Sequence, residues 1–126
     1  IRLFGDLSVE DNVRCAFAGR AGYGLFSTLL RDGKQARQED WIHRESTRLL
    51  EIFDLQDRAE LPARNLAYGD QRRLEIVRAL ATNPKLLLLD EPTSGMNPTE
   101  TEEVTKLIQR VREEFDITVL LIEHHM

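Results

Sequence analysis

The sequence contains 126 residues, 41% of them hydrophobic, which is enough for one globular domain or a large part of one. Its 22 acidic and 17 basic side chains give a formal net charge of -5, and this excess of acid disfavours binding to nucleic acid or anionic lipid through charge alone. The longest apolar runs, residues 86–89 and 117–122, are far shorter than the roughly 20 residues that span a bilayer, so no transmembrane helix is predicted.

Cys15 is the single cysteine, and the lack of an internal partner favours a reducing compartment. We predict that Cys15 is a small buried apolar side chain, with a reactive thiol as the alternative. The sequence opens at Ile1 rather than at an initiator methionine, and it stops at Met126 directly after a strand-like run. We therefore expect it to be a piece of a longer protein.

The first half of the chain predicts helices. Ser8, followed by two acidic residues, is a helix N-cap pattern, and the helix it begins is expected to end near Ala18. Three glycines within residues 19–24 predict a loop, and residues 25–30 predict a short apolar helix. A long amphipathic helix is predicted from about residue 34 to 53, because its apolar side chains share one face: Ile42, Leu49, Leu50 and Phe53.

The second half predicts alternating helices and strands. A helix over about residues 70–82 presents one apolar face and is ended by Asn83 and Pro84; that face consists of Leu74, Val77, Leu80 and Ala81. The unbroken apolar runs 86–89 and 117–122 predict strands buried on both faces of a largely parallel sheet. Between them, Asn97, Pro98 and Glu100 match an N-cap, a first-turn proline and a capping-box acid. The order helix, strand, helix, strand predicts an α/β fold.

Two carboxylates, Asp90 and Glu91, directly follow the first predicted strand. In open α/β sheets, ligands bind beyond the carboxyl ends of the strands. Asp90 would therefore be placed to hold a hydrated Mg²⁺ ion on nucleotide phosphates, and Glu91 to deprotonate an attacking water. The alternative is an acid pair that only caps a turn.

The segment that begins 24 residues before Asp90 bears on this choice. It reads Leu-Ala-Tyr-Gly-Asp-Gln-Arg-Arg over residues 66–73, at the predicted start of a helix. This segment resembles the signature sequence of ABC ATPases, and residues 89–94 resemble the Walker B segment of the same family. In that family the helix start and its glycine turn offer unpaired backbone N–H groups to the γ-phosphate of ATP. The resemblance implies that nucleotide is bound by Leu66, Ala67, Tyr68, Gly69, Asp70 and Gln71.

The resemblance continues to the end of the chain. Residues Ser94, Gly95, Met96 and Asn97 resemble the D-loop that crosses the dimer interface, and His124 resembles the switch histidine that senses the γ-phosphate. A metal cluster of His124 with its neighbours is disfavoured, since successive strand residues point to opposite faces. The implied fold is the C-terminal part of a P-loop ABC ATPase domain, with a helical signalling lobe over residues 1–65 and part of the ATPase core over residues 66–126.

The residue sequences of these motifs are similar to those of the ATPase subunits of bacterial branched-chain amino acid importers. The similarity includes residues 1–13, which resemble the segment after the Q-loop of that subfamily, and it covers essentially the whole chain. It implies ATP and Mg²⁺ as cofactors and transmembrane permease subunits and a second ATPase subunit as partners, with no role for nucleic acid. It also implies a peripheral location on the cytoplasmic face of the inner membrane.

Several features depart from the family pattern. No G-x-x-x-x-G-K-[ST] phosphate-binding loop occurs in the sequence, and a Q-loop glutamine would precede Ile1, so we expect the chain alone to be inactive. Asp70 replaces a usual glutamine and would bring a negative charge towards a triphosphate, which would lower ATP affinity. A non-catalytic binding module that supplies only the signature half of a shared site is the alternative function. An ABC ATPase of DNA repair or translation is disfavoured, because no coiled-coil insertion or tandem domain is visible.

Overall fold

The computed structural model describes residues 2–20 and 33–123. The chain divides into two compact units, Ile1–Thr82 and Asn83–Met126. Most of the predicted glycine loop, the predicted helix over residues 25–30 and the predicted switch residue His124 lie outside the described residues. None of the described helices is long and apolar enough to cross a membrane.

The described residues of the first unit form three α-helices: α1 (Val9–Arg20), α2 (Gly33–Ile52) and α3 (Tyr68–Ala81). Helix α1 packs against both of the others. The predicted apolar faces of α2 and α3 are both buried, so these two predictions are confirmed. Helix α1 is longer than predicted, since Gly19 lies inside it rather than in a loop; helix ends are the least certain part of a sequence-based boundary.

Short-range polar groups fix the start of α1. The Ser8 hydroxyl accepts a hydrogen bond from the Asp11 N–H at 3.0 Å, which confirms the predicted N-cap. Asn12 is fully buried, and its amide exchanges two 2.9 Å hydrogen bonds with the backbone of Phe4. Because a buried amide must be paired to be tolerated, Asn12 anchors the segment that precedes α1.

The connection from α2 to α3 runs along α1. It contains two short 3₁₀ helices, Gln56–Arg58 and Ala63–Asn65. The N–H groups of Val9 and Glu10 donate to backbone carbonyls in this connection at 2.9 and 3.0 Å. The connection that leads to α3 is therefore bonded to the start of α1.

The second unit consists of β1 (Leu86–Asp90), α4 (Pro98–Phe115) and β2 (Thr118–Ile122). The strands pair in parallel with Leu86 opposite Thr118 and Asp90 opposite Ile122, which confirms the predicted parallel pairing. The predicted capping box is present at the start of α4: the Asn97 side chain accepts from the Glu100 N–H, and the Glu100 carboxylate accepts from the Asn97 N–H, both at 3.0 Å.

The prediction that both strands are buried on two faces is wrong for this chain. Leu88 in β1 is 62% exposed, and Leu120 to Ile122 in β2 are about half exposed. A parallel sheet is covered on both faces when helices flank it on each side, whereas residues 83–123 form two strands and one helix. Cys15, predicted to be buried, is also exposed, because it lies on the outer side of α1.

The compact units divide after Thr82, so α3 belongs by its packing to the first unit. The functional boundary proposed after residue 65 stays a prediction.

Candidate nucleotide site

The start of α3 carries the predicted phosphate-binding residues. Ala67 is the N-cap residue and has no side-chain acceptor, and no side chain caps the helix. The first backbone bond of the helix runs from the Gln71 N–H to the Ala67 carbonyl at 2.9 Å. The N–H groups of Tyr68, Gly69 and Asp70 therefore have no partner within the helix, and an anion would satisfy them.

The side chain of Gln71 is bonded to the backbone of the segment that precedes α3. Its Nε2 donates to the carbonyl of Leu66 at 2.9 Å, and Leu66 is buried. Gln71 and Leu66 thus shape the turn that leads into α3. Their contact with nucleotide stays a prediction. The backbone N–H groups without a partner in the helix are those of Tyr68, Gly69 and Asp70.

Tyr68 is half exposed at the first position of α3 and contacts Arg72. The Arg72 guanidinium donates to the Tyr68 hydroxyl at 2.9 and 3.1 Å and to the Glu75 carboxylate at 2.8 Å. The hydrogen bond that Arg72 donates to Glu75, and next those that it donates to Tyr68, raise the pKa of its guanidinium. A protonated guanidinium therefore stays fixed one turn into the helix.

Asp70 lies in the first turn of α3, and its carboxylate is 3.5 Å from Nε of Arg58 in the first 3₁₀ helix. An acid in this turn is stabilised by the helix dipole. The negative charge that is predicted to lower ATP affinity is paired in the structure with a cation from outside the motif. No local pattern relates the two residues, which are 12 positions apart in the sequence.

The second predicted site surrounds the end of β1. Asp90 is the last residue of the strand and is exposed, and Glu91 follows it directly. The Glu91 N–H donates to the Ile122 carbonyl of β2 at 2.8 Å, so the backbone pairing extends one residue beyond β1. Both carboxylates therefore lie at the carboxyl edge of the parallel pair, as the sequence predicted.

The backbone of Glu91 is unusual. Its φ angle is 45°, in the left-handed region that side-chain-bearing residues other than Asn and Asp rarely adopt. The other positive-φ residues with side chains in the described part of the chain are all Asp or Asn: Asp54, Asn83 and Asp116. A strained Glu directly after a strand is the kind of outlier that clusters at functional sites.

Two tight turns follow Glu91. The Ser94 N–H donates to the Glu91 carbonyl and the Met96 N–H to the Thr93 carbonyl, each at 3.1 Å, and Gly95 adopts a φ angle of 77°. The Thr93 hydroxyl donates to the Glu123 carboxylate at 3.1 Å. A cavity of about 360 Å³ adjoins these turns, with Thr93, Met96 and Glu123 in its wall. The predicted D-loop residues 94–97 therefore lie in turns that follow β1, beside a cavity that Glu123 also lines.

The oxygen chemistry at the end of β1 suits a magnesium ion. Mg²⁺ in phosphate-transfer sites is held by one or two carboxylates together with water and substrate oxygens. Asp90 and Glu91 provide that type of donor, and Asp90 is exposed. No group of three His, Cys, Asp or Glu side chains within residues 2–20 and 33–123 would hold a metal on its own.

Comparison with known proteins places these features in a family. The family model described as ABC transporter matches residues 1–94. The chain belongs to the ABC transporter family. The matched region includes the start of α3 and the end of β1, the two places where the predicted site residues lie.

Individual members of the family match over most of the chain. The high-affinity branched-chain amino acid transport ATP-binding protein LivG of Escherichia coli K12 is 45% identical over 127 residues, which cover 100% of this chain and 49% of LivG. The methionine import ATP-binding protein MetN of Bifidobacterium longum is 45% identical over 89 residues, or 71% of this chain and 22% of MetN. Among solved structures, cbiO1 of Clostridium perfringens, part of the transporter complex cbiONQ, superposes with a TM-score of 0.77 at 27% identity, covering 98% of this chain and 43% of cbiO1.

The chain spans about half the length of the branched-chain transport proteins it matches. The superposition on cbiO1 confirms the predicted fold class, an α/β ABC ATPase domain. Sequence reasoning missed Arg58 and Arg72 as neighbours of the α3 start. The i, i+3 spacing of Arg72 and Glu75 is a signal for the second of these, whereas the contact of Arg58 with Asp70 is set by the folding of the connection.

Proposed function

We propose that the protein containing this chain is the ATP-hydrolysing subunit of an amino acid importer. The observation that carries this proposal is the placement of Asp90 and Glu91 at the carboxyl edge of the parallel strands, with Glu91 held in a left-handed backbone by its hydrogen bond to Ile122. Family membership supports it independently.

In the proposed reaction, a water oxygen attacks the γ-phosphorus of ATP while the bond to the β,γ-bridging oxygen breaks, and ADP leaves with the electrons of that bond. Glu91 acts as the general base and takes the proton of the attacking water. The backbone N–H groups at the start of α3 bind phosphate oxygens, and His124 senses the γ-phosphate. Asp90 would hold Mg²⁺ through water, and the ion, when bound, neutralises phosphate charge.

The site as proposed is shared between two subunits. The N–H groups at the start of α3, which no side chain caps, would act on a nucleotide held by a second ATPase subunit. The D-loop residues 94–97 would lie at that interface. Transmembrane permease subunits are the other proposed partners, which would place the protein peripherally on the cytoplasmic face of the inner membrane.

Branched-chain amino acids are the proposed solutes, since LivG is 45% identical over this whole chain. The match to MetN extends over a smaller part of the chain, so a methionine importer is the nearest competing assignment. Uptake of labelled leucine and of labelled methionine by cells with and without the gene would separate them. Loss of methionine uptake alone would contradict the branched-chain assignment.

The decisive variant for the reaction is Glu91→Gln in the protein at its natural length, assembled with its permease. We expect ATP turnover to fall by about 10²- to 10⁴-fold while ATP binding is retained, because the amide keeps the shape but does not accept a proton. Glu113→Gln is the matched control, because this substitution removes the same charge from an exposed position on α4. Undiminished turnover in the Glu91 variant would overturn the general-base assignment.

The alternative is a binding module that supplies only the signature half of a shared site, and the uncapped start of α3 is the observation behind it. Calorimetric titration of the isolated chain with Mg-ATP addresses it. We expect weak or undetectable binding, because the N–H groups of α3 are one side of the site. Tight binding without a second subunit would contradict the shared-site geometry.

A further inference from the structure

The ion pair between Arg58 and Asp70 connects the α3 start to a residue outside the signature segment. Nε of Arg58 lies 3.5 Å from Oδ2 of Asp70, whose side chain is only 16% exposed. The guanidinium is also oriented by its own element, since Nη1 donates to the Asp54 carbonyl at 3.3 Å. Arg58 is thus fixed towards Asp70 by two polar contacts.

Asp70 poses an electrostatic problem for the proposed site. The uncapped N–H groups at the start of α3 attract an anion, and a carboxylate in the same turn repels one. Because the carboxylate is largely removed from solvent, salt and water screen that repulsion less than they would at an open surface. A nearby cation that does not itself occupy the N–H groups would offset the charge and leave the helix start available.

Two other cations of this region, Arg72 and Arg64, are engaged elsewhere. Arg72 is bound to Glu75 and to the Tyr68 hydroxyl one turn further along α3. Arg64 is paired with Asp6. The ion pair that the described residues show for Asp70 is the one with Arg58.

We propose that Arg58 is a positioning residue for the nucleotide site: it holds the Asp70 carboxylate and offsets its charge, so that the start of α3 accepts the phosphates of a nucleoside triphosphate. This inference rests on the proposed ATPase function. Arg58 acts through Asp70 and makes no contact with the nucleotide. It follows that Arg58 matters for ATP affinity only while residue 70 carries a negative charge.

The two ways of breaking the pair distinguish charge from structure. In the natural-length protein with its permease, Arg58→Gln removes the cation that is paired with the carboxylate, and we expect KM for ATP to rise about fivefold with kcat little changed. Asp70→Gln breaks the same pair but removes the repulsive charge, and we expect KM to fall below that of the wild type. The double variant should return to the KM of Asp70→Gln. A merely structural ion pair would give all three variants the same defect.

Two further variants and a salt series complete the experiment. Arg58→Lys keeps the charge and should stay within about twofold of the wild type. Arg48→Gln is the matched control, because Arg48 forms an exposed pair with Glu45 on α2 and should leave KM unchanged. The defect of Arg58→Gln should shrink as NaCl is raised, since screening weakens the repulsion.

The outcomes separate this inference from the function on which it rests. If the wild-type protein turns over ATP and Arg58→Gln has an unchanged KM, or if the double variant is as impaired as Arg58→Gln, the role of Arg58 is overturned and the ATPase assignment stands. If the wild-type protein neither binds nor turns over ATP in the presence of its permease, the proposed function is overturned and this inference with it.

Discussion

Arg78 of α3 lies against the ring of Phe4, with its guanidinium carbon 4.7 Å from the ring centre. Its Nη1 also donates to the Arg2 carbonyl at 2.6 Å, so one buried side chain joins α3 to the segment that precedes α1. Arg78 is about 9% exposed, and its Nε has no hydrogen-bond partner within the described residues. Burial lowers the pKa of its guanidinium. The guanidinium nevertheless stays protonated at neutral pH, as arginine does in proteins generally.

Arg78→Ala should lower the free energy of unfolding of the first unit by about 2–3 kcal/mol, because it removes a hydrogen bond from a charged donor and leaves a cavity beside Phe4. Arg78→Met should cost less, about 1 kcal/mol, since it fills the same space without a buried charge. Urea denaturation followed by the fluorescence of Trp41 measures both. Trp41 is the only tryptophan of the chain, and its ring contacts that of Phe17 in the same unit.

Arg48→Ala is the control for this series. Arg48 is about two-thirds exposed, so its loss should change the unfolding free energy by less than about 0.5 kcal/mol. If Arg78→Ala proved as stable as this control, the contact with Phe4 and the bond to Arg2 would contribute nothing to the fold.

The capping box at the start of α4 yields a second prediction. Asn97→Ala removes the acceptor of the Glu100 N–H and should destabilise the second unit by about 1 kcal/mol. Asn97→Asp keeps an acceptor oxygen at the same position and should retain that stability. Amide hydrogen exchange of Glu100 gives the measurement: faster exchange is expected in the alanine variant only. Thr99→Ala, an exposed change in the same turn, serves as the control, and equal exchange in all four proteins would contradict the cap.

Local chemistry made much of this fold predictable. The caps at Ser8 and Asn97 depend on residues three positions apart, and the buried faces of α2 and α3 follow from helical periodicity. The parallel pairing of β1 and β2 follows from the helix between them. Each of these features is decided within one element or between consecutive elements.

The missed features all depend on contacts between distant segments. Arg78 reads as a polar position of α3, yet the segment before α1 covers it. The exposure of Leu88 was not predicted, because an apolar run shows only that a strand is suited to burial. Its side chains are buried only where another element covers each face of the sheet. The partner of Asp70 was not predicted, since Arg58 comes from another element. The roles of Glu91, Asp90 and His124 in hydrolysis stay predictions.

The third prediction concerns pH and the exposed pair of Glu102 and Lys106 on α4. Nζ of Lys106 lies 2.6 Å from a carboxylate oxygen of Glu102, one turn away. The hydrogen bond from Lys106, and secondarily its charge, lower the pKa of Glu102. A carboxyl whose pKa is lower in the folded state stabilises that state fully above its unfolded pKa, and this contribution disappears as the pH falls through the folded value.

An NMR titration of the Glu102 side chain in the wild type and in Lys106→Met tests this directly. The titration midpoint should be higher in the variant, because the donor and its charge are gone, and 1 M NaCl should raise the wild-type midpoint towards the same value. The stability advantage of the wild type over Glu102→Gln should be small at neutral pH and absent in acid, since both partners are fully exposed. An identical midpoint in the wild type and in Lys106→Met would show that the pair does not persist in solution.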